Sequence, residues 1–376
     1  MNLFDKLFVG DKSYFDIPVS EQTKYLESLG TAKDDFERSF KQYKGQVFFM
    51  SKTKFCLLSV LSLIVVCVLV LYYTARGLFV KKQYKVEAIS RAGKDEQFIP
   101  NSLLIKYDVK RDLWNTKGAF YVKDIPFALL LFVKYIFHPY LLLKLLFKVA
   151  KYSSLIYKYQ PGAVIVNDEF SFTSSIMTLF CERHNVKHIN VQHGEKFYYI
   201  RDSFFRFHEC YIWDEHYKRL FILLKAEPSQ FIIELPESMK FDLKKHYSEQ
   251  YYADFKYYLA IYNEEEIKAI VNAMEFIKRS GYTVKYRPHP NYSDVNLLKK
   301  YVSDDEIELP KVNILDSISS TKHVVGVFST VLTQAFFNGQ NVLIDDVSYK
   351  KQYNALKDLQ YILIDKVEGR LSSYQV

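Results

Sequence analysis

Four short polar groups in this sequence contain the side chains best suited to chemistry, and each follows an apolar run that predicts a buried strand. Parallel strands bind ligands just beyond their carboxyl ends. These groups are therefore where we expect a substrate to lie. They are Asn167-Asp168-Glu169, Gln192-His193-Gly194-Glu195, Arg287-Pro288-His289-Pro290 and Ser329-Thr330.

The last two groups predict a phosphate site. Ser329 and Thr330 open a helix after the run HVVGVF. Hydroxyls and free N–H groups at a helix N-terminus attract anions, although a plain N-cap is the alternative. Arg287 and His289 add a cation and a hydrogen-bond donor, and Pro290 prevents a regular helix directly after the strand. We predict that these five residues hold a phosphate.

The first two groups offer three candidates for a general base. Attack by a hydroxyl needs a group that removes its proton, and Asp168, Glu169 or His193 could each serve. Because the two acids are adjacent, at most one of them faces a ligand. Gly194 suits a tight turn and a close ligand approach. Helix capping near Ser174 is the structural alternative for Asp168, and a buried structural histidine is the alternative for His193.

Two α/β domains are needed to position these groups. From about residue 160 onward the sequence alternates between short apolar runs and helical segments, which predicts parallel, doubly wound sheets. The chain of 376 residues exceeds the usual size of a single core. We predict two Rossmann-like domains facing a cleft, at 81–240 and 255–376, with the predicted phosphate site in the second.

The N-terminal part predicts contact with a membrane. Residues 1–54 form a polar helical head, and 55–80 a hydrophobic membrane segment. Its uncharged run Phe55–Tyr73 would span about 28 Å as a helix. The apolar stretch 125–147 is interrupted by lysines, histidine and proline, which favours an interfacial helix pair or a buried surface helix.

Composition limits the possible partners. Apolar residues make up 49% and charged residues 25%, which is typical of a globular protein. The net charge of +8 fits anionic lipid or a nucleotide phosphate. No pattern typical of nucleic-acid binding occurs, so nucleic acid is not expected. The four cysteines form no CxxC, so neither a disulfide framework nor a zinc site is indicated, and we expect a reducing, cytoplasmic setting for the catalytic part.

The motifs together resemble a known superfamily. NDE, VQHGEKFY, RPHPNYSD and VVGVFSTVLTQAFFNGQNVLIDD, within about 160–350, resemble the capsule and O-antigen transferases of the GT-B type. That group includes sialyltransferases, Kdo transferases and teichoic-acid glycerophosphotransferases. The resemblance implies that His289, Ser329 and Thr330 bind the donor phosphate. It implies either an acidic base, although Asp168-Glu169 is followed here by Phe170 rather than glycine, or His193 as the base.

The resulting hypothesis is a metal-independent glycosyltransferase at the inner membrane with its catalytic part in the cytoplasm. We expect a nucleotide-sugar donor, with CMP-sialic acid or a related ulosonate first, and a lipid-linked or surface glycan acceptor. No cofactor or metal is expected, because DEF at 168–170 is not a DxD motif and Asp345-Asp346 lacks partners. A CDP-polyol phosphotransferase and a non-catalytic polysaccharide assembly factor are the alternatives. With the catalytic part in the cytoplasm, a single span would place residues 1–54 on the outer side of the membrane, unless 55–80 is re-entrant or pairs with 125–147.

Overall fold

The computed structural model describes residues 12–13, 15–79, 81–91, 98–260 and 262–374. The chain forms two units. Unit 1 comprises the residues up to His193 together with Tyr198–Pro236, and unit 2 comprises Gly194–Phe197 and the residues from Glu237 onward. The part of the predicted polar head that lies in 1–11 and at 14 is outside the described residues.

A parallel sheet of six strands organises the described part of unit 1. The strand order is β2-β1-β3-β4-β5-β6. Every neighbouring pair is parallel. Runs such as AVIV in β3 are buried at each position, as expected for a sheet covered on both faces. The strands are β1 Ala88–Ser90, β2 Val109–Lys110, β3 Ala163–Val166, β4 Lys187–Val191, β5 Glu209–Ile212 and β6 Phe231–Ile233.

The strand order of unit 1 reverses between β1 and β3. The chain moves from β1 outward to β2, and then returns to the other side of β1 to form β3. In open parallel sheets this reversal leaves a crevice at the carboxyl ends of the two strands, where ligands bind. The alternating pattern in the sequence is recognisable only from about residue 160 onward, so β1 and β2, which are only three and two residues long, were missed.

The helices of unit 1 include both the predicted N-terminal head and the predicted membrane segment. Helix α2 (Asp35–Val47) packs on α7 (Ser174–Glu182), and α3 (Lys52–Gly77) packs along α6 (Pro139–Tyr159). Residues 15–50 are therefore part of the same body as the sheet. The helices are α1 Val19–Ser28, α2 Asp35–Val47, α3 Lys52–Gly77, α4 Asn101–Lys106, α5 Ile125–Tyr135, α6 Pro139–Tyr159, α7 Ser174–Glu182 and α8 Glu215–Leu223.

Helix α3 has 26 residues and contains the uncharged apolar run. Within the described ranges it is the one helix whose length and composition would allow it to cross a membrane. Only 11% of its most apolar window is buried in the protein.

A four-stranded parallel sheet with the order β10-β9-β7-β8 organises the described part of unit 2. Here the order reverses between β7 and β9, so this sheet also has a ligand-binding edge at its carboxyl ends. The strands are β7 Ala253–Tyr258, β8 Val284–Arg287, β9 Thr321–Gly326 and β10 Val342–Ile344. The helices are α9 Leu243–His246, α10 Glu264–Arg279, α11 Val295–Leu298, α12 Ile314–Ser319, α13 Thr330–Phe337, α14 Lys350–Asp358 and α15 Ile362–Lys366.

Local sequence signals explain where helix α10 of unit 2 begins and ends. The side chain of Asn263 accepts a hydrogen bond from the backbone N–H of Glu266, and the Glu266 carboxylate accepts one from the N–H of Asn263. This capping box satisfies two N–H groups that the first turn of α10 would otherwise leave without partners. Lys278 and Arg279 at the other end match the negative end of the helix dipole.

Candidate functional site

Asp168 lies just past the end of β3 and is committed to two cations. One carboxylate oxygen accepts from Arg91 Nη1 and the other from Lys148 Nζ. The residue is only 3% exposed. Burial raises the pKa of the carboxyl, but the charges of Lys148 and Arg91 outweigh burial and lower the pKa below its usual value. Asp168 therefore stays ionised at neutral pH and compensates the two cations.

A cavity of about 580 Å³ opens at this point, where the strand order of unit 1 reverses. Arg91, which directly follows β1, lines it together with Asp168, which follows β3. The lining also includes three lysines of α6 and several aromatic rings. The lysines are Lys144, Lys148 and Lys151, and the rings are Trp114, Tyr140, Phe147, Phe170 and Phe172.

The charges around this cavity are unbalanced in favour of the cations. Four basic side chains and one carboxylate line it. Burial lowers the pKa of Lys151, and the nearby charges of Arg91 and Lys148 lower it further. A bound anion would relieve this repulsion between like charges. Because the aromatic rings supply an apolar surface, the cavity suits a ligand that combines an anionic group with a ring or an apolar chain.

His193 and Glu169 form a second arrangement in unit 1. His193 Nδ1 lies 3.7 Å from Glu169 Oε1. The Glu169 side chain is 1% exposed, whereas that of His193 is 40% exposed. Gly194 follows with a φ of +71°, which a residue with a side chain rarely adopts. At 3.7 Å the two groups are within ion-pair range but farther apart than a hydrogen bond, so a buried carboxylate lies beside a partly exposed imidazole.

The segment that carries Glu169 is fixed from the N-terminal side of the chain. Gln42 of α2 donates its side-chain N–H to the backbone carbonyl of Glu169 at 2.8 Å and to that of Arg201 at 3.2 Å. Of the three predicted base candidates, the structure brings Glu169 and His193 together. It gives Asp168 different partners, as expected for adjacent residues that point in different directions.

Sequence reasoning missed the cations around Asp168. Lys144, Lys148 and Lys151 occur at intervals of four and three residues, so they share one face of α6. That spacing was visible in the sequence and could have indicated a basic face. Arg91 follows the unrecognised strand β1, and no sequence signal connected it to Asp168.

In unit 2, His289 lies in a tightly held loop after β8. Its Nδ1 accepts the backbone N–H of Asn291 at 3.1 Å, and its backbone N–H donates to Ser293 Oγ at 2.8 Å. Ser293 Oγ in turn donates to the carbonyl of Ala260. The imidazole stacks on Tyr292, with the ring centroids 4.4 Å apart.

These contacts determine the hydrogen-bonding state of His289. Burial lowers the pKa of the imidazole, so the ring is neutral at pH 7. Because Nδ1 is an acceptor in its contact with Asn291, the proton of the neutral ring lies on Nε2. Nε2–H can therefore donate to a phosphate oxygen without the ring being charged.

Ser329 and Thr330 lie at the same edge of the unit 2 sheet. Strands β8 and β9 both flank β7, so their ends are about 10 Å apart at the usual strand spacing. Ser329 is the N-cap of α13, and its Oγ accepts the N–H of Val331 at 3.2 Å. Thr330 is exposed at the first helical position. The capping role was the alternative that the sequence left open for Ser329.

Arg287 occupies a buried charge network. Its Nη1 donates to Glu308 Oε2 at 2.6 Å, and its Nη2 donates to the carbonyl of Val312 at 2.7 Å. The fully buried Lys256 of β7 donates to the other Glu308 oxygen at 2.6 Å. Each terminal nitrogen of Arg287, predicted as a donor ligand, thus already has a protein acceptor. Pro290, three residues after Arg287, is exposed.

No group of three or more histidine, cysteine, aspartate or glutamate side chains that could hold a metal occurs in the ranges described above. The Asp345 carboxylate accepts the hydroxyl of Tyr257 at 2.7 Å and the N–H groups of Val347 and Ser348. This residue therefore stabilises the turn after β10.

Comparison with known proteins gives similarity to solved structures only. No protein-family model matches the chain, and no curated protein matches it. UDP-GlcNAc 2-epimerase from Neisseria meningitidis, bound to UDP-GlcNAc, is 12% identical with a TM-score of 0.41. The similarity covers 72% of this chain and 85% of the epimerase.

Two further solved structures are similar to this chain. Anabaena HepE in complex with UDP and glucose is 8% identical with a TM-score of 0.39, covering 77% of this chain and 97% of HepE. The wall teichoic acid polymerase TagF, in its H444N variant, is 10% identical with a TM-score of 0.38, covering 91% of this chain and 90% of TagF.

Proposed function

We propose that this chain is a metal-independent glycosyltransferase of the GT-B type that transfers a sugar from a nucleotide donor to a membrane-linked glycan acceptor. The observation that carries the proposal is the His193–Glu169 pair near the cation-lined cavity of unit 1. The ring of Phe170, which lines that cavity, lies 6.3 Å from the ring of His193. An acceptor hydroxyl in the cavity would thus lie near the imidazole of His193.

His193 is the proposed general base, and Glu169 is its positioning residue. The imidazole takes the proton of the acceptor hydroxyl as the oxygen attacks the anomeric carbon of the donor. The bond between that carbon and the donor phosphate oxygen breaks, and the nucleotide leaves with the bonding electrons. The buried carboxylate of Glu169 stabilises the imidazolium that forms.

Unit 2 is proposed to bind the donor through its phosphate. The Nε2–H of His289 and the backbone N–H groups at the start of α13, beside Ser329 and Thr330, would donate to the phosphate oxygens. These bonds strengthen as negative charge builds up on the leaving nucleotide, so they lower the barrier as well as binding the donor. Arg287 supports this site indirectly, by fixing the strand end that leads into the His289 loop.

The cation-lined cavity is proposed to hold an anionic part of the acceptor. Arg91, Lys148 and Lys151 would contact a phosphate, as found where a glycan is attached to a lipid carrier, or an acidic sugar. The surrounding rings, such as Trp114 and Tyr140, would stack on sugar or lipid. An acceptor attached to lipid also accords with the exposed apolar helix α3, and we propose that the protein is membrane-associated at the cytoplasmic face of the inner membrane.

The proposed donor sugar follows from the resemblance in the sequence motifs. CMP-sialic acid or a related CMP-ulosonate is the first choice, following the resemblance in the HP and Ser-Thr motifs. A CDP-polyol phosphotransferase is the second candidate, because a histidine at position 193 would equally activate a hydroxyl that attacks phosphorus. A non-catalytic assembly factor is the third candidate.

Incubation of the purified full chain with panels of CMP, CDP and UDP donors and a lipid-linked acceptor extract would separate these candidates. Transfer of sugar with release of a free nucleotide supports the glycosyltransferase, and transfer of a polyol phosphate with release of CMP supports the second candidate. Absence of both transfer and donor hydrolysis with every donor would favour the assembly factor. Excess EDTA should leave the rate unchanged, and a loss that Mg²⁺ or Mn²⁺ restores would contradict the metal-independent mechanism.

A further inference from the structure

Residues before and after α3 are joined by ion pairs within unit 1. Arg38 of α2 pairs with Glu227 at 2.6 Å, and Arg206 pairs with Asp35 at 2.7 Å. Asp35 and Arg38 precede α3, whereas Arg206 and Glu227 follow it by more than 120 residues. A helix that crossed the bilayer once would separate these partners by about 30 Å of hydrocarbon. The two sides of the chain therefore lie on one side of any membrane.

One face of α3 is itself fastened to unit 1. Ser62, Val66, Tyr73 and Gly77 are its buried residues, and their spacing of four, seven and four places them on one face. The carbonyl of Tyr73 accepts the N–H of Phe120 at 3.0 Å. A Cβ atom at Gly77 would lie 1.7 Å from the carbonyl oxygen of Phe120, so only glycine permits this approach.

The attachment fixes the direction of the helix. The buried face extends over about 24 Å of a helix that is about 39 Å long. Helix α3 packs along α6, and α6 carries Lys148 on the wall of the charged cavity. The attached part of α3 therefore has protein on one side and cannot be surrounded by lipid hydrocarbon. The helix therefore runs along the surface of unit 1.

The opposite face of α3 is apolar and exposed. Val60, Ile64, Val68 and Leu71 are each at least 60% exposed. Leu61, Leu63 and Tyr72 on the same helix are also exposed, so α3 presents a group of apolar side chains rather than the single exposed ones that are common on soluble proteins. Helix α5 lies beside α3, since Thr74 and Leu129 line the same small cavity, and Val133 of α5 is 76% exposed. Such a surface needs a partner that is itself apolar.

The charges at the ends of α3 indicate which partner. Residues 51–79 contain no aspartate or glutamate, and Lys52, Lys54 and Arg76 lie near the ends of the helix, followed by Lys81 and Lys82. A second copy of this chain docked on the same face would bring these basic ends together, and they would repel. Anionic phospholipid headgroups instead complement them.

We propose that α3 and α5 form a docking face that lies within one leaflet of an anionic membrane, with the axis of α3 parallel to the membrane plane. The chain enters and leaves the membrane on the same side, which removes the conflict that a single span creates. The proposal rests on the membrane association proposed above and is independent of the chemistry in units 1 and 2.

Sidedness is the first test. Cys56 and Cys67 are exposed on α3 and are replaced by serine, whereas Cys181 and Cys210 are buried and remain. Single cysteines are then introduced as Lys24→Cys before α3 and Lys187→Cys after it. A membrane-impermeant maleimide applied to spheroplasts and to inverted vesicles should label both positions from the cytoplasmic side only. Labelling of the two positions from opposite sides would overturn the in-plane arrangement.

Vesicle binding is the second test. The purified full chain should float with phosphatidylglycerol–phosphatidylethanolamine vesicles and bind phosphatidylcholine vesicles much less. Val68→Glu and Leu71→Glu should each weaken binding about tenfold or more. Phe276→Glu, at an exposed apolar position of unit 2, is the matched control and should leave binding unchanged.

The two tests fail in distinguishable ways. If the wild-type chain binds no vesicles, both this inference and the proposed membrane association are wrong, whereas the proposed transfer reaction is untouched. If light scattering shows a dimer that Leu71→Glu converts to monomers, a second copy occupies the face and the lipid proposal is overturned.

Discussion

His193 Nδ1 lies 3.7 Å from Glu169 Oε1, with the carboxylate buried and the imidazole partly open to solvent. The two residues are 24 positions apart in the sequence, and the ends of the neighbouring strands β3 and β4 bring them together. This relationship gives the three acidic and basic candidates different roles, because Asp168 is held by Arg91 and Lys148 instead.

Removal of the proposed base should affect turnover far more than binding. We expect His193→Ala to lower kcat by about 10²- to 10⁴-fold with little change in the KM for the donor. Glu169→Gln should lower kcat by a smaller factor, because the imidazole remains but loses its orienting charge. Steady-state kinetics would measure both effects. His184→Gln is the control, since His184 pairs with Asp124 elsewhere in unit 1. Unchanged kcat in His193→Ala would refute the assignment.

Asp168→Asn should act on stability. Its loss leaves Arg91 and Lys148 without their carboxylate, which we expect to cost about 3 kcal/mol. Since the folded-state pKa of Asp168 is lowered, its contribution is present above the unfolded value of about 4 and is lost as pH falls through the folded value. Denaturant unfolding between pH 2 and 7 should show a flatter acid limb in the variant. An acid limb identical to that of the wild type would show that Asp168 contributes no such term.

Nucleotide affinity should depend on His289 but should not change between pH 7 and pH 9. His289→Ala should raise the Kd for a nucleotide diphosphate or monophosphate about tenfold or more, the usual value of one hydrogen bond to a charged group. Because burial lowers the pKa of His289, the ring stays neutral above pH 7 and wild-type affinity should be flat to pH 9. Calorimetric titration measures both, with His246→Gln as a control in the same unit. A fall in affinity that begins above pH 7 and disappears in His289→Ala would mean that a charged imidazole binds the donor.

Arg287 should behave as a structural residue. Arg287→Met leaves Lys256 and Glu308 in an incomplete buried network, so we expect the free energy of unfolding to fall by about 3 kcal/mol. Thermal or denaturant unfolding measures the loss. Unchanged stability together with weaker nucleotide binding would restore the ligand role that the sequence predicted.

The acceptor cavity predicts a charge effect on binding. Lys144 lines the cavity and is exposed, so Lys144→Gln should raise the KM for an anionic acceptor several-fold with kcat nearly unchanged. The difference should shrink at high salt, which screens exposed charges. Lys187→Gln, at the amino end of β4, is the matched control. Equal effects of the two substitutions would indicate a general charge effect and would contradict a local acceptor site.

The parts of the fold that local signals determine were predictable. Helix α10 lies at Glu264–Arg279, and its capping box and its charged ends are signals that are local in sequence. The carboxyl ends of β3, β4, β8 and β9 were located closely enough to identify the polar groups there. Strands as short as β1 have too few residues for a periodic pattern. One of the two strands between which the strand order of unit 1 reverses could therefore not be recognised from the sequence.

Long-range pairing was the part that the sequence could not provide. Arg91 reaches Asp168 across 77 residues, and Arg287 reaches Glu308 across 21. Nothing in the local sequence distinguishes a buried, paired arginine from one that faces a ligand. Lys256 interrupts an apolar strand, and that interruption was the available signal of a buried charge network in unit 2.

The network of Lys256, Arg287 and Glu308 has an evolutionary consequence. Any single neutral replacement leaves a charge buried without its full set of partners, whereas replacing all three with well-packed apolar residues can be nearly neutral. Divergence at these positions would therefore have to pass through less stable intermediates. Related chains should keep all three charges or lose them together, and a set of homologous sequences would show that coupled pattern as covariation among three positions that are far apart along the chain.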